Sequence, residues 1–355
     1  MKKSENSTVS FKKQLINIGI VILLTVVIFA IIFGKNKNFS FDEFFEFLGN
    51  LNPFYLAGAF VCMLLFIVFE ALSLRIILKH MGFKPKKRYA LLYSSSDIYY
   101  SAITPSATGG QPASVYFMRK SGIYGSAGTA AVTFNIFMYI SSIIVIALFA
   151  FIASPSSFLD FNWIYQVLIV FGVLIQAVFM LFCFLLMKKP NILKTIAKVV
   201  FTFLNKIRIV KDIDARLKSL DKTMAEYKNK IDMILSNRSV ALKSFLLNLL
   251  QRVSQMSIAV FVYLAAGLQD ISIFHIFVLQ SYCLLGANAV PIPGAAGVSE
   301  GLYLSAFGSL FASKQMLLNC MMATRGIAYY ICFIVAGSYT FICHIIMTLK
   351  SKKGE

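Results

Sequence analysis

The sequence predicts an all-α polytopic membrane protein, and three observations predict it. Apolar residues make up 58% of the 355 positions and charged residues only 14%, where a soluble domain carries roughly 25% charged. Apolar runs of about 20 residues, the length of one membrane crossing, recur along the chain. The bases gather in short clusters between those runs. A water-soluble chain of this size could not cover itself with so little polar surface, which excludes a cytosolic enzyme, a secreted domain and a disordered chain. The formal charge of +19 would suggest nucleic acid if the bases formed one patch. Divided among loops they mark a polytopic protein instead, and no nucleic-acid partner is expected.

Six runs qualify as full transmembrane helices, at about 14–34, 54–78, 126–152, 162–187, 240–267 and 316–347. The first follows Lys2, Lys3, Lys12 and Lys13. It is longer than a signal-peptide core, and Gly34-Lys35-Asn36-Lys37 offers no small-residue cleavage site, so a retained helix is expected. Two further apolar segments are broken. One, about 89–118, is interrupted by Ser94, Ser95, Ser96 and Asp97 and then by Pro105 to Pro112; the other, about 273–312, by Pro291, Pro293, Gly294 and Gly297.

Charge orients these segments. Twenty-nine of the 34 bases fall in the N-terminal tail, the 75–88 region, Arg119-Lys120, the 188–243 region and the C-terminal tail; the opposite loops hold Lys35, Lys37 and Lys314. The positive-inside rule then puts both termini in the cytoplasm. Bases flank 89–118 on both sides, so it enters from the cytoplasm and returns there. Gln269-Asp270 and Lys314 flank 273–312, so it enters from outside and returns outside. Two re-entrant hairpins of opposite orientation result. Irregular backbone at membrane depth is tolerated only where it is buried in protein or lines a wet cavity, so a polar site is expected between them. The breaks read Pro105-Ser-Ala-Thr-Gly109 and Pro293-Gly-Ala-Ala-Gly297, both P-x-A-x-G. An inverted repeat of the transporter kind would explain this; chance likeness of two Gly/Pro loops is the alternative.

The chain divides into an N-terminal membrane half (1–187), a basic linker (188–238) and a C-terminal membrane half (239–355). The linker holds 13 bases and 5 acids. Ile192, Ile196, Val199, Val200 and Phe203 recur at helical spacing among Lys194, Lys198 and Lys206, as in an amphipathic helix on anionic inner-leaflet lipid. A second helical piece, with Leu217, Leu220, Met224 and Ile231, follows. A solvated linker is the alternative.

The six cysteines fall in apolar runs with no CxxC pair, the three histidines are scattered, and no Walker A sequence occurs. No cofactor, no metal site and no ATP-driven export are expected. Chemistry must come from charges at membrane depth, which are costly and face a bundle interior: Glu70, Asp97, Arg252, Glu300 and Arg325. Asn248, Gln251, Arg252 and Gln255 share one helix face and line either an interior path or a helix contact. Glu300 and Arg325 can pair, for function or to fix the hairpin. Gly109, Gly110, Gly294 and Gly297 either let backbone amides approach a phosphate at helix N-termini or simply make tight turns. Glu70 reads as a partner of Arg75, so Glu300→Gln is expected to lower function more than Glu70→Gln.

Thr104-Pro-Ser-Ala-Thr-Gly-Gly-Gln-Pro-Ala-Ser-Val-Tyr-Phe-Met-Arg-Lys120 resembles the first signature loop of the lysylphosphatidylglycerol synthase transmembrane family, with Gln111 where an acidic residue is common. Pro291-Ile-Pro-Gly-Ala-Ala-Gly-Val-Ser-Glu300 resembles its second loop, and Ala323-Thr-Arg-Gly-Ile-Ala-Tyr329 its Arg-x-x-x-Tyr element. The order, the spacing and the basic linker fit too, over nearly the whole chain. The resemblance implies the membrane half of multiple peptide resistance factors, which moves lysylphosphatidylglycerol to the outer leaflet of a bacterial plasma membrane and so confers resistance to cationic antimicrobial peptides. The soluble domain that transfers lysine from lysyl-tRNA has no counterpart before Glu355. The expectation is therefore a flippase-like translocator of an anionic or aminoacylated phospholipid. Arg252 and Arg325 would hold the phosphate, with Gln251 beside them. Glu300 and Asp97 would balance charge or meet an amine. The rival is a phosphatidylglycerol lysyltransferase, acting alone or with a soluble partner on the linker. A homo-oligomer is a further option.

Overall fold

A computed structural model describes residues 40–104, 107–189, 213–268, 271–311 and 313–352, with a few positions between 191 and 202. The expected first span at 14–34 and most of the amphipathic stretch 192–206 lie outside the described residues. Among the described residues every regular element is helical. In order they are α1 (Phe41–Asn50), α2 (Pro53–His80), α3 (Lys87–Ala102), α4 (Gly110–Lys120), α5 (Gly125–Ala153), α6 (Pro155–Leu159), α7 (Trp163–Lys188), α8 (Ile213–Leu235), α9 (Arg238–Ala265), α10 (Ile273–Ala287), α11 (Val298–Phe307), α12 (Lys314–Arg325) and α13 (Cys332–Lys352). A π-helical segment, Gly326–Ile331, joins the last two into one rod.

Five of these are long and apolar enough to cross a membrane: α2, α5, α7, α9 and the α12–α13 rod. Polar caps start all of them but α5. Asn52, Asn162 and Asn237 accept the amides of Phe54 (3.0 Å), Ile164 (3.1 Å) and Val240 (3.2 Å), satisfying N–H groups that the first turn leaves orphaned. The apolar surface is turned outward. On α7, Trp163, Val167, Phe171, Leu174 and Val178 are exposed, the reverse of a soluble protein and the pattern of a lipid-facing helix.

Small residues let the helices approach, as expected where lipid supplies no hydrophobic drive between them. A Cβ on Gly58 of α2 would lie 2.6 Å from the Phe261 ring of α9. A Cβ on Gly172 of α7 would lie 2.0 Å from the Leu285 carbonyl of α10. A polar knot ties α2, α5 and α9: Asn248 Nδ2 donates to Ser73 Oγ and Asn135 Oδ1, both at 3.1 Å, and Ser73 Oγ lies 2.8 Å from Ser244 Oγ.

The helix ends define two faces. On one, the Asn52 amide donates to Ala265 O (2.8 Å) and the Ile271 amide to Tyr263 Oη (3.0 Å). The other carries the basic loops. There Lys230 Nζ donates to Met81 O (2.9 Å), Ser126 Oγ to Glu226 (2.8 Å) and Tyr339 Oη to Arg88 O (3.0 Å). Helix α8 docks on this face, with Tyr227, Ile231 and Ile234 buried among Leu78, Met81, Ala127 and Ala131. The second helical piece of the linker is thus a packed part of the protein rather than a solvated tether. Burial pushes the Tyr227 phenol up to about 12.

The two broken segments are hairpins of opposite orientation. The α3–α4 pair opens toward the basic face, where Arg88 meets Tyr339 and Lys120 meets His344 of α13. The α10–α11 pair opens toward the other face, beside the start of α12. Their turns share one unusual feature. Ala107 (φ 54°) and Ala295 (φ 48°) are the non-glycine residues with left-handed backbone among the described residues. Each is the third residue of its P-x-A-x-G motif. Both loops thus hold an alanine in the left-handed region, which costs an L-residue roughly 1–2 kcal/mol, at the same place in the motif.

Candidate functional site

The hairpin tips meet halfway along the α12–α13 rod, on the π-helical segment. Tyr329 lies between them. Its hydroxyl donates to Ala102 O at the tip of α3 (3.1 Å). Its ring covers Gly294 at the other tip, where a Cβ would fall 2.4 Å from the ring and φ is 61°. Only glycine meets both demands there. The tip of α3 also packs against the short 3₁₀ turn Pro293–Ala295. One widened turn therefore serves as the meeting point of both breaks, and such π-bulges recur at functional sites.

Two charged clusters flank this point. In the first, Arg325 Nε donates to Glu300 Oε1 at 2.7 Å. The guanidinium also donates to the Gly294 carbonyl and lies 4.7 Å from the Tyr329 ring centroid. The other Glu300 oxygen accepts the Gly297 amide (2.7 Å) and Ser299 Oγ (2.9 Å). The buried carboxylate thus caps the helix that carries it. The Gly297 amide, which one of the two sequence readings left open to a phosphate, is taken by Glu300. Arg325 keeps an accessible edge, its side chain being 17% exposed.

The second cluster lies among α2, α3 and α9. Gln251 Nε2 donates to Glu70 Oε2 (3.0 Å) and Ser94 Oγ approaches the same oxygen (3.2 Å). Asp97, one turn beyond Ser94 on α3, is within direct interaction range of Glu70. Asp97 also accepts from Ser101 Oγ (3.1 Å). Arg252 is 95% buried, its residue being only 5% exposed. Its guanidinium is held between the rings of Phe66 (4.8 Å) and Tyr139 (4.4 Å), and Nη1 donates to Gln255 Oε1 (2.7 Å). Cys332, at the start of α13, is within electrostatic reach of both Glu70 and Arg252.

Several expectations change here. Glu70 does not pair with Arg75, whose Nε donates to Pro85 O (3.2 Å). Five residues apart on a helix, the two side chains point about 140° away from each other. Glu70 faces inward, which removes the reason for ranking it below Glu300. The stripe on α9 divides by role: Asn248 belongs to the helix-joining knot, Gln251 to the carboxyl cluster and Arg252 with Gln255 to a cation–π sandwich. Arg252 and Arg325 serve separate clusters. Gly109 and Gly110 are packed rather than open. The Gly109 amide donates to Thr104 Oγ1 (2.9 Å), and a Cβ on Gly110 would lie 2.0 Å from Asp97 Oδ1. Among the described residues no group of three or more metal-ligating side chains assembles. Sequence reasoning counted Glu70 among the candidate charges but gave it the wrong partner, and it missed the π turn; Gly326 within an apolar run was the one local signal for the latter.

The family described as the lysylphosphatidylglycerol synthase TM region matches residues 15–336. No curated protein matches the chain.

Proposed function

Because the chain belongs to the lysylphosphatidylglycerol synthase TM-region family, an integral membrane family, we propose that it is a flippase-like translocator that passes a phospholipid headgroup between leaflets. One observation carries this reading. Two oppositely oriented re-entrant hairpins meet tip to tip at Tyr329, at membrane depth, with buried charge on either side. A headgroup would cross at that seam while its tails stay in lipid. The exposed edge of Arg325 would take the phosphate. Guanidinium has five N–H donors, and Glu300 and Gly294 use two of them. Arg252 would join only when the tips part. Glu300 and Asp97 would balance the charge or receive the amine of an aminoacylated headgroup. The basic face would be cytoplasmic, holding both termini and anionic inner-leaflet lipid, in a bacterial plasma membrane.

The test is leaflet accessibility of labelled phosphatidylglycerol and lysylphosphatidylglycerol in liposomes that hold the purified protein. Wild type should speed exchange of at least one lipid. Tyr329→Phe, which removes the bond to the α3 tip and keeps the ring, should change the rate. No acceleration for either lipid would overturn the reading. Lysine transfer from lysyl-tRNA to lipid in the same vesicles would replace it with the transferase reading.

A further inference from the structure

Glu70 and Asp97 are two carboxyl groups that face each other inside the helix bundle: Ser94, one turn before Asp97 on α3, lies 3.2 Å from Glu70 Oε2, and the two carboxyls interact directly. Neither group has a hydrogen to donate when ionised, so the contact requires a proton between them. Other donors are scarce. The single hydrogen of Ser94 is drawn to Ile67 O at 2.9 Å, closer than Glu70 at 3.2 Å. That of Ser101 is shared between Asp97 and Ala107 O. Only Gln251 donates to Glu70 without such competition.

A second observation is independent of the carboxyls. Gln251 and Arg252 are 2% and 5% exposed, yet Gln251 Oε1 and Arg252 Nε find no hydrogen-bond partner. Buried polar atoms are ordinarily satisfied. The Gln251 amide is seated against Glu70, so an acceptor without a donor stands beside the pair. Arg252 Nε is the converse, a donor without an acceptor, so the polar groups around the pair are left open on both counts.

Charge points the same way. The groups facing the pair are Arg252 of α9, sandwiched by Phe66 and Tyr139, and Cys332 of α13. The start of α4 lies against Asp97 at Gly110. With both carboxyls ionised the cluster carries a net negative charge at membrane depth. With one proton it is neutral. Like charges in contact cannot both be held.

We propose that Glu70 and Asp97 bind one proton between them, and that its uptake and release drive the movement of the hairpin tips. The coupling part rests on the translocation reading above. The placement suits the task. Glu70 stands on α2, which packs tightly on α9 through Gly58 and Phe261. Asp97 stands on the re-entrant hairpin and touches its turn through Gly110 and Ser101. The proton therefore joins a fixed pair of helices to a movable one. When it leaves to water, the carboxylates repel and the hairpin parts from α2. When a proton returns from water, the contact closes.

Infrared difference spectra of the full chain in phosphatidylglycerol vesicles, between acid and alkaline pH, test the site. A carboxylic-acid C=O band should titrate in wild type. It should vanish in both Glu70→Gln and Asp97→Asn and survive in Glu300→Gln. Loss in either single variant is the mark of a shared proton; a band that persists in both, or no band, overturns the site. A band absent at all pH values together with sodium-dependent exchange would make it a metal-cation site instead. Coupling is tested in the same vesicles under a pH gradient. The steady-state leaflet ratio of labelled phosphatidylglycerol should shift by up to about tenfold per pH unit for one proton per lipid, and Asp97→Asn should lose the shift. Exchange that ignores the gradient overturns coupling and leaves translocation standing. A titrating band with no exchange at all overturns translocation, and coupling with it, and leaves the proton site.

Discussion

Glu300 shows how one buried carboxylate can be held at membrane depth. It accepts from the Gly297 amide, from Ser299 and from Arg325, at 2.7–2.9 Å. Every ligand of the charge is local or one helix away, so the pair fixes α11 against α12 whatever else it does. Removing one partner of a buried pair strands the other, at a cost of about 3–5 kcal/mol. Arg325→Ala should therefore lower the unfolding free energy by roughly that amount. The double variant Arg325→Ala/Glu300→Gln should recover most of it, since a neutral amide can still accept from Gly297 and Ser299. Thermal unfolding in detergent measures the cycle. A double variant no more stable than the Arg325→Ala single variant would mean that the guanidinium acts through Gly294 and Tyr329 rather than through Glu300. The consequence for assays is direct: loss of transport in Arg325→Ala alone reports folding and function together.

At the scale of elements, the hairpin turns carry the structural likeness that the sequence only hinted at. Prolines and glycines marked both breaks, and the bases fixed their opposite orientation, because those signals are local. The shared left-handed alanine was not legible, since alanine carries no marker for that backbone. Nor was the inward turn of Glu70, which depends on where α2 faces its neighbours. The α8 dock was half-legible: Ile231 was in the helical pattern, but the Leu78–Ala131 surface that receives it is assembled from other helices. The strained alanines give a prediction. Ala295→Gly removes a conformational cost of roughly 1–2 kcal/mol and adds a chain-entropy cost of about 0.5–1 kcal/mol. It should leave stability unchanged or raise it by up to about 1.5 kcal/mol, whereas Ala295→Val should lower it. Ala107 should respond with the same signs. Opposite signs at the two positions, read by thermal unfolding, would show that the loops are alike in sequence and φ but not in the strain they bear.

Across the whole molecule the two faces differ in charge. A pocket of about 360 Å³ on one face is lined by Glu43 and Glu46 of α1 with Asn50 and Asn319. A pocket of about 460 Å³ on the other is lined by Arg75, Lys79 and Lys84. The helical rod that links the faces runs from Lys314 to Leu349, about 54 Å at 1.5 Å per residue, well beyond the ~30 Å of bilayer hydrocarbon. Both pockets thus belong at or outside the headgroup layer, one basic and one acidic. The positive-inside rule would put the basic pocket in the cytoplasm, there to gather anionic lipid, while the acidic pocket would meet a cationic headgroup outside. A membrane-impermeant maleimide tests the orientation in cells. Five of the native cysteines are buried and Cys343 is partly so, so their background labelling should be low. Glu46→Cys should label in intact cells. Lys84→Cys, an exposed position on the opposite face, should label only after the membrane is opened. The reversed pattern would invert the topology and, with it, the side from which a headgroup enters the seam at Tyr329. Equal labelling of both in intact cells would mean that the chain is present in two orientations, as some small inverted-repeat transporters would allow, and that the charge bias is too weak to decide between them.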